Sequence, residues 1–149
     1  MTDLTFREAE ARDVPGIVAL MRDDRLGATR EGDPDDPAYA RAFAGIDAHP
    51  GVRILLAFDG DRLVGCLQLI LIPSLSHRGL TRAQLESVRT ASDRRGEGIG
   101  AALVAHAVET ARRERPGGGA KLRSSSSSSI GGAAGREGPD WDGGGVSSW

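Results

Sequence analysis

Apolar and polar residues alternate at the start of the chain, through Leu4-Thr5-Phe6-Arg7-Glu8-Ala9, the period of a half-buried strand. The period then lengthens. Val14, Ile17, Val18 and Met21 recur at i, i+3, i+4 and i+7, which places them on one helical face. Asp13 is a suitable N-cap for that helix, and Pro15 fits its first turn. Residues 27–37 are polar and acidic and read as a loop. Asp36-Pro37 opens a second helix, because proline is preorganised for the first helical position. Tyr39, Phe43 and Ile46 face inward on it, and Pro50 stops it. Val52 to Phe58 is β-branched and apolar enough for a strand, Asp59-Gly60-Asp61-Arg62 is a hairpin signal, and Leu63 to Ile72 is the returning strand with a bulge expected near Gly65. Pro73 to Thr81 is a loop, and Ala83 to Ala91 is a fourth strand whose alternation puts Gln84, Glu86, Val88 and Thr90 on one face. A last helix over 98–114 buries Ile99, Leu103, Val104, Ala107, Val108 and Ala111.

Between the fourth strand and the last helix lies Arg94-Arg95-Gly96-Glu97-Gly98-Ile99-Gly100. Alternating glycines let a backbone turn tightly and pass close to a ligand. The helix that follows presents unpaired N–H groups and a partial positive charge. Residues 95–100 therefore read as a phosphate cradle. The spacing is Arg-x-x-Gly-x-Gly. It is neither the Gly-x-Gly-x-x-Gly of a dinucleotide fold nor the Gly-Lys-Ser/Thr of a P-loop. No acidic ribose partner follows about 20 residues on, where the chain runs Pro116-Gly117-Gly118-Gly119. A glycine-rich strand–helix turn without a ligand is the plainer reading.

The segment from Leu85 to Gly100 resembles the acyl-CoA-binding core of the GNAT N-acetyltransferases, and the resemblance extends over roughly residues 3 to 115. It implies an α/β (α+β) fold: a central mixed, mostly antiparallel sheet flanked by helices. It also implies acetyl-CoA as co-substrate and an amine acceptor, either a small molecule or a peptide amino terminus. In the family the pyrophosphate is wrapped by backbone amides. Here those positions are Arg95, Gly96, Glu97, Gly98, Ile99 and Gly100. A backbone N–H of the splayed fourth strand, among Val88, Arg89 and Thr90, faces the thioester carbonyl. Glu86 is the candidate base that takes the ammonium proton, directly or through water; a solvated residue, or a partner for Arg82 or Arg89, is the alternative. Arg95 either touches phosphate or faces solvent while its backbone binds. Glu97 is unfavourable beside phosphate unless it points away. His77 lies in the loop where acceptors approach in this family, although loop histidines are ordinarily just exposed. Asp23, Asp24, Glu31, Asp33, Asp35 and Asp36 form an acidic region that either borders a cationic acceptor or is simply solvated.

The chain departs from the family after residue 115. Of the 34 residues from Pro116 to Trp149, 18 are Gly or Ser, with six consecutive serines at 124–129. Such a segment cannot offset its ordering entropy and is expected to be disordered. Ala120-Lys121-Leu122 reads as the start of a fifth strand left incomplete. The domain is accordingly expected to span 1–115, or to 122, with 116–149 a low-complexity tail. A frame shift near Leu122 and a natural tail are both open. The family's helix with a tyrosine near the CoA sulfur has no counterpart, since the sole tyrosine is Tyr39. A chain that acetylates amines, a catalytically impaired fragment, and a CoA-binding or interaction module are the three readings that remain.

Composition narrows the setting. The chain has 149 residues and a net charge of −2, so no general attraction to nucleic acid or anionic membrane is expected. No apolar run approaches the ~20 residues of a membrane span. Met1-Thr2-Asp3-Leu4 is no secretory signal start, and the single Cys66 excludes an internal disulfide, so a cytoplasmic location is expected. The three histidines are scattered, and no metal site is expected. A homodimer is left open as the assembly.

Overall fold

The computed structural model describes residues 3–114 and the strand at 121–124. Strand β1 (Leu4–Glu8) is followed by a single 3-10 turn and helix α1 (Val14–Arg22), which buries Val14, Ile17, Val18 and Leu20. The expected loop contains a one-turn helix α2 (Gly27–Arg30). Helix α3 (Pro37–Ala48) starts where Asp36 accepts the Ala38 N–H at 2.9 Å, and it buries Phe43. Strands β2 (Val52–Asp59) and β3 (Arg62–Ile72) form the hairpin, with a register shift at Ala57/Phe58 opposite Leu63–Gly65. Strand β4 (Arg82–Thr90) leads into a 3-10 turn at Ser92–Arg94 and then helix α4 (Ile99–Arg113). Strand β5 (Lys121–Ser124) is last.

The sheet order is β1-β2-β3-β4-β5, antiparallel except for the β4–β5 pair, which is parallel. Each face carries its own apolar layer. Leu55, Ala57, Val64, Leu67, Leu69, Ala83 and Leu85 pack with Ile99, Leu103, Ala107 and Ala111 of α4. On the other face Leu56, Cys66 and Ala91 pack with α1 and Phe43 of α3. Two layers of helix around one sheet bury more apolar surface than either face alone.

The fifth strand, expected to begin at Ala120-Lys121-Leu122, runs over Lys121–Ser124 and pairs with Arg82–Leu85 of β4. A parallel partner needs a crossover connection, and α4 supplies it. The expected disorder of the tail concerns residues that, apart from 121–124, lie outside those described. The single alternation through β4 fails. Ser87 has φ of 52°, in the left-handed region. That kink is accompanied by a register shift between Cys66 and Gln68 of β3, the mark of a β-bulge. Gln84 and Glu86 share a face, with Gln84 Nε2 donating to Glu86 Oε1 at 2.6 Å. Val88, by contrast, packs with Ala83 and Leu85 in the α4 layer. Thr90 Oγ1 also lies on that side, 3.6 Å from where a Cβ on Gly100 would sit.

Candidate active site

The bulge divides β4 in two. Arg82–Leu85 is paired on both sides; from Glu86 on, β4 is paired to β3 alone among the described residues. The Ala91 N–H donates to Val64 O of β3 at 2.9 Å. Strand alternation therefore turns the Arg89 amide to β3 as well, and the amides of Val88 and Thr90 to the opposite, β5 side. Among the described residues no strand pairing covers Val88 and Thr90 on that side, and backbone donors so placed suit a ligand's carbonyl oxygen.

The chain then enters the glycine loop. Gly96 and Gly98 have φ of 84° and 81°, conformations that side chains with a Cβ resist. A Cβ on either would meet nothing within 4 Å, so open space lies before both. The Gly98 carbonyl accepts the Ala102 N–H at 3.0 Å, the first bond of α4, and no side chain caps the helix. The N–H groups of Ile99, Gly100 and Ala101 thus begin α4 without an intrahelical acceptor. Open space, amide donors and the positive end of a 15-residue helix together suit an anion such as a pyrophosphate.

The loop's charged side chains serve a different end. Arg94 reaches Asp59 Oδ2 and Glu97 Oε2, both at 2.7 Å, and these partners raise its pKa. Glu97 is thereby turned onto Arg94. Arg62 holds Asp93 at 2.7 Å and lowers that carboxyl's pKa. Arg95 Nη2 donates to Asp23 O at 2.9 Å, which places its guanidinium at the end of α1 rather than over the cradle. Asp23 in turn accepts from Ser92, from the N–H at 2.8 Å and from Oγ at 2.9 Å. The scaffold is held by side chains, and the cradle is lined by backbone.

Asp24 performs a parallel task one residue on. It accepts the Gly27 N–H and stands 3.5 Å from Arg89 Nε. The Gly27 amide, with Arg89 close by, lowers the Asp24 pKa against the effect of burial. Much of the acidic region is likewise used locally. Asp36 caps α3, and Glu31 accepts the Tyr39 hydroxyl at 2.8 Å. The roles of Asp23 and Asp24 escaped the sequence reading because their partners, Ser92, Arg95 and Arg89, lie more than sixty positions away. An Asp-Asp pair just past an amphipathic helix was the only signal.

Glu86 faces away from the α4 layer, with Gln84 beside it and Gln68 as its cross-strand partner. It occupies the opposite face of the sheet from Val88 and Thr90. His77 is exposed in a turn at Ser76–Gly79, where His77, Arg78 and Gly79 all have positive φ. Cys66 is buried beside Arg89, and burial pushes its thiol up to about 12, so it is an inert core residue. The Gly32 N–H donates to the Tyr39 oxygen and opposes the shift, yet the bond to Glu31 and burial leave the phenol pKa raised. Among the described residues there is no group of three or more His, Cys, Asp or Glu that could hold a metal. Nor is any helix among them long and apolar enough to cross a membrane.

A model of the acetyltransferase (GNAT) family matches residues 18–126. The chain is similar to a transcriptional regulator from Bacillus halodurans, with a TM-score of 0.76 and 33% identity, covering 94% of this chain and 99% of that one. It is similar to a candidate acetyltransferase from Agrobacterium tumefaciens, with a TM-score of 0.69 and 25% identity, covering 90% and 96%. A predicted acetyltransferase from Clostridium acetobutylicum, solved with acetyl-CoA, shares the fold with a TM-score of 0.61 at 17% identity, covering 81% and 80%. No curated protein matches the chain.

Proposed function

The chain belongs to the GNAT family of acetyltransferases, and on that premise we propose that it transfers an acetyl group from acetyl-CoA to a primary amine of a small molecule or a peptide amino terminus. The carrying observation is a bulged strand followed by an amide-lined cradle: β4 bulges at Ser87, pairs with β5 only at Arg82–Leu85 among the described residues, and ends at Thr90, from which a 3-10 turn leads to Gly96–Gly98. Acetyl-CoA supplies an activated acyl group as a thioester. The amides of residues 95–100 hold its pyrophosphate. The Val88 or Thr90 N–H donates to the thioester carbonyl oxygen, where negative charge grows as the amine attacks. Glu86, on the other face, takes the proton from the acceptor ammonium, with a water bridging to it across the strand. Cys66, free and buried, suits the reducing cytoplasm.

One observation favours a second reading, a CoA-binding module with impaired catalysis. The only tyrosine, Tyr39 of α3, has its hydroxyl engaged by Glu31 and Gly32 of the preceding loop. The leaving thiolate therefore has no phenolic acid among the described residues. Thiol release from acetyl-CoA, measured by the purified chain against a panel of primary amines, decides between them. Amine-dependent release supports transfer. CoA binding without release under any amine selects the module.

A further inference from the structure

We propose that Asp23 is a positioning residue for the cofactor cradle, fixing from the end of α1 the loop whose amides bind the pyrophosphate; this rests on the reading of residues 95–100 given above. Asp23 grips Ser92 twice, at the N–H and at Oγ, and its own carbonyl accepts from Arg95. These three bonds cross the molecule between segments about seventy residues apart. They meet the loop at its first and fourth residues and so bracket the 3-10 turn that aims Gly96 and Gly98.

The loop cannot hold this shape by itself. It is exposed over most of its length, carries two glycines, and gives α4 no side-chain cap. Other ties, Arg62 to Asp93 and Arg94 to Asp59, come from the β2–β3 hairpin. Asp23 holds the loop from the helix layer, so the loop is pinned between two layers rather than hinged on one. The adjacent Asp24 pairs with Arg89 in the second half of β4. One turn after α1 thus holds both the strand and the loop that would face the cofactor. The fold has no comparable need of Asp23: α1 is anchored by Val14, Ile17, Val18 and Leu20. Loss of the carboxylate should therefore loosen the loop and spare the core. Cofactor affinity depends on amides being already in place, because ordering them on binding subtracts from the binding free energy.

The test compares the native chain with Asp23→Ala and Asp23→Asn. Asparagine keeps an oxygen acceptor for the Ser92 N–H and is the conservative rescue. Amide exchange of residues 92–100 is followed without ligand, and CoA binding by calorimetry. For Asp23→Ala we expect exchange in the loop and the Kd for CoA each to rise roughly tenfold, the size associated with losing a charge-assisted hydrogen bond. Exchange in α1 and the central strands stays native. In turnover, Asp23→Ala raises the KM for acetyl-CoA while kcat holds, and Asp23→Asn recovers most of these losses. Unchanged loop exchange in Asp23→Ala overturns the proposal, as does a loosened loop with native CoA affinity. A native chain that binds no CoA, with a loop that still loosens on substitution, overturns the cofactor reading and leaves the clamp as a purely structural tie.

Discussion

The two halves of β4 differ in almost every respect, although they are nine consecutive residues. Arg82–Leu85 alternates regularly and is bonded to β3 and β5. Glu86–Thr90 is bulged at Ser87 and, among the described residues, is bonded to β3 alone. The connections at its two ends differ in the same sense. Before β4, positive φ falls on His77 and Arg78, where it costs about 1–2 kcal/mol per residue. After β4 it falls on Gly96 and Gly98, where it costs little. Only the second connection is braced on several sides by Asp59, Arg62 and Asp23. A strand needs full pairing to be stable and open donors to bind a ligand. Among the described residues this one divides the two demands between its halves.

Filling the cradle breaks the comparison most severely. Gly98→Val puts a branched side chain into the open space at a left-handed position. The strain alone is about 1–3 kcal/mol, and the methyl groups block approach to the amides. CoA affinity measured by calorimetry should fall roughly a hundredfold, consistent with strain and exclusion acting together. Unchanged affinity would return the loop to a plain strand–helix turn.

The next test lies at the boundary between the halves. Glu86→Gln should lower turnover by about a hundredfold, the lower range for loss of a general base. The loss is greatest at pH values below the amine's own pKa, where a proton must be removed, and it narrows as pH rises and the amine arrives neutral. CoA affinity should hold. A rate profile that keeps its shape makes Glu86 a polar strand residue paired with Gln84.

Smaller effects sharpen the contrast. Ser87→Val should destabilise the fold by about 1–2 kcal/mol in denaturant melts, since a branched side chain resists the bulge's positive φ. Ser87→Gly should stabilise it by up to about 1 kcal/mol. His77→Gly relieves the same strain at the other end of the strand, for a gain of about 1 kcal/mol or less. It should leave CoA affinity and KM for the amine unchanged. A raised amine KM would instead assign the turn at 76–79 to acceptor binding.

The sequence by itself determined the order of the main elements, α2 aside, and the location of the glycine loop. Period-two and period-3.6 patterns survive burial because one face of each element must meet the core, so Ile17, Val18 and Phe43 were legible as inward-facing. Asp36-Pro37 and Gly96-x-Gly98 were legible because caps and positive φ are properties of the local backbone. Tertiary structure alone decided which face Val88 and Thr90 take, since a bulge at Ser87 is chosen by pairing with β3 and by packing under α4, and nothing in Glu-Ser-Val-Arg announces it. It also decided that Lys121–Ser124 pairs with β4, where the sequence showed only the start of a strand at 120–122. Above all it decided the work of the charges. Asp23 and Ser92, or Arg94 and Asp59, meet only once the chain has folded. An ion pair or hydrogen bond between distant residues leaves no period in the sequence, because either partner looks the same in solvent as in the clasp.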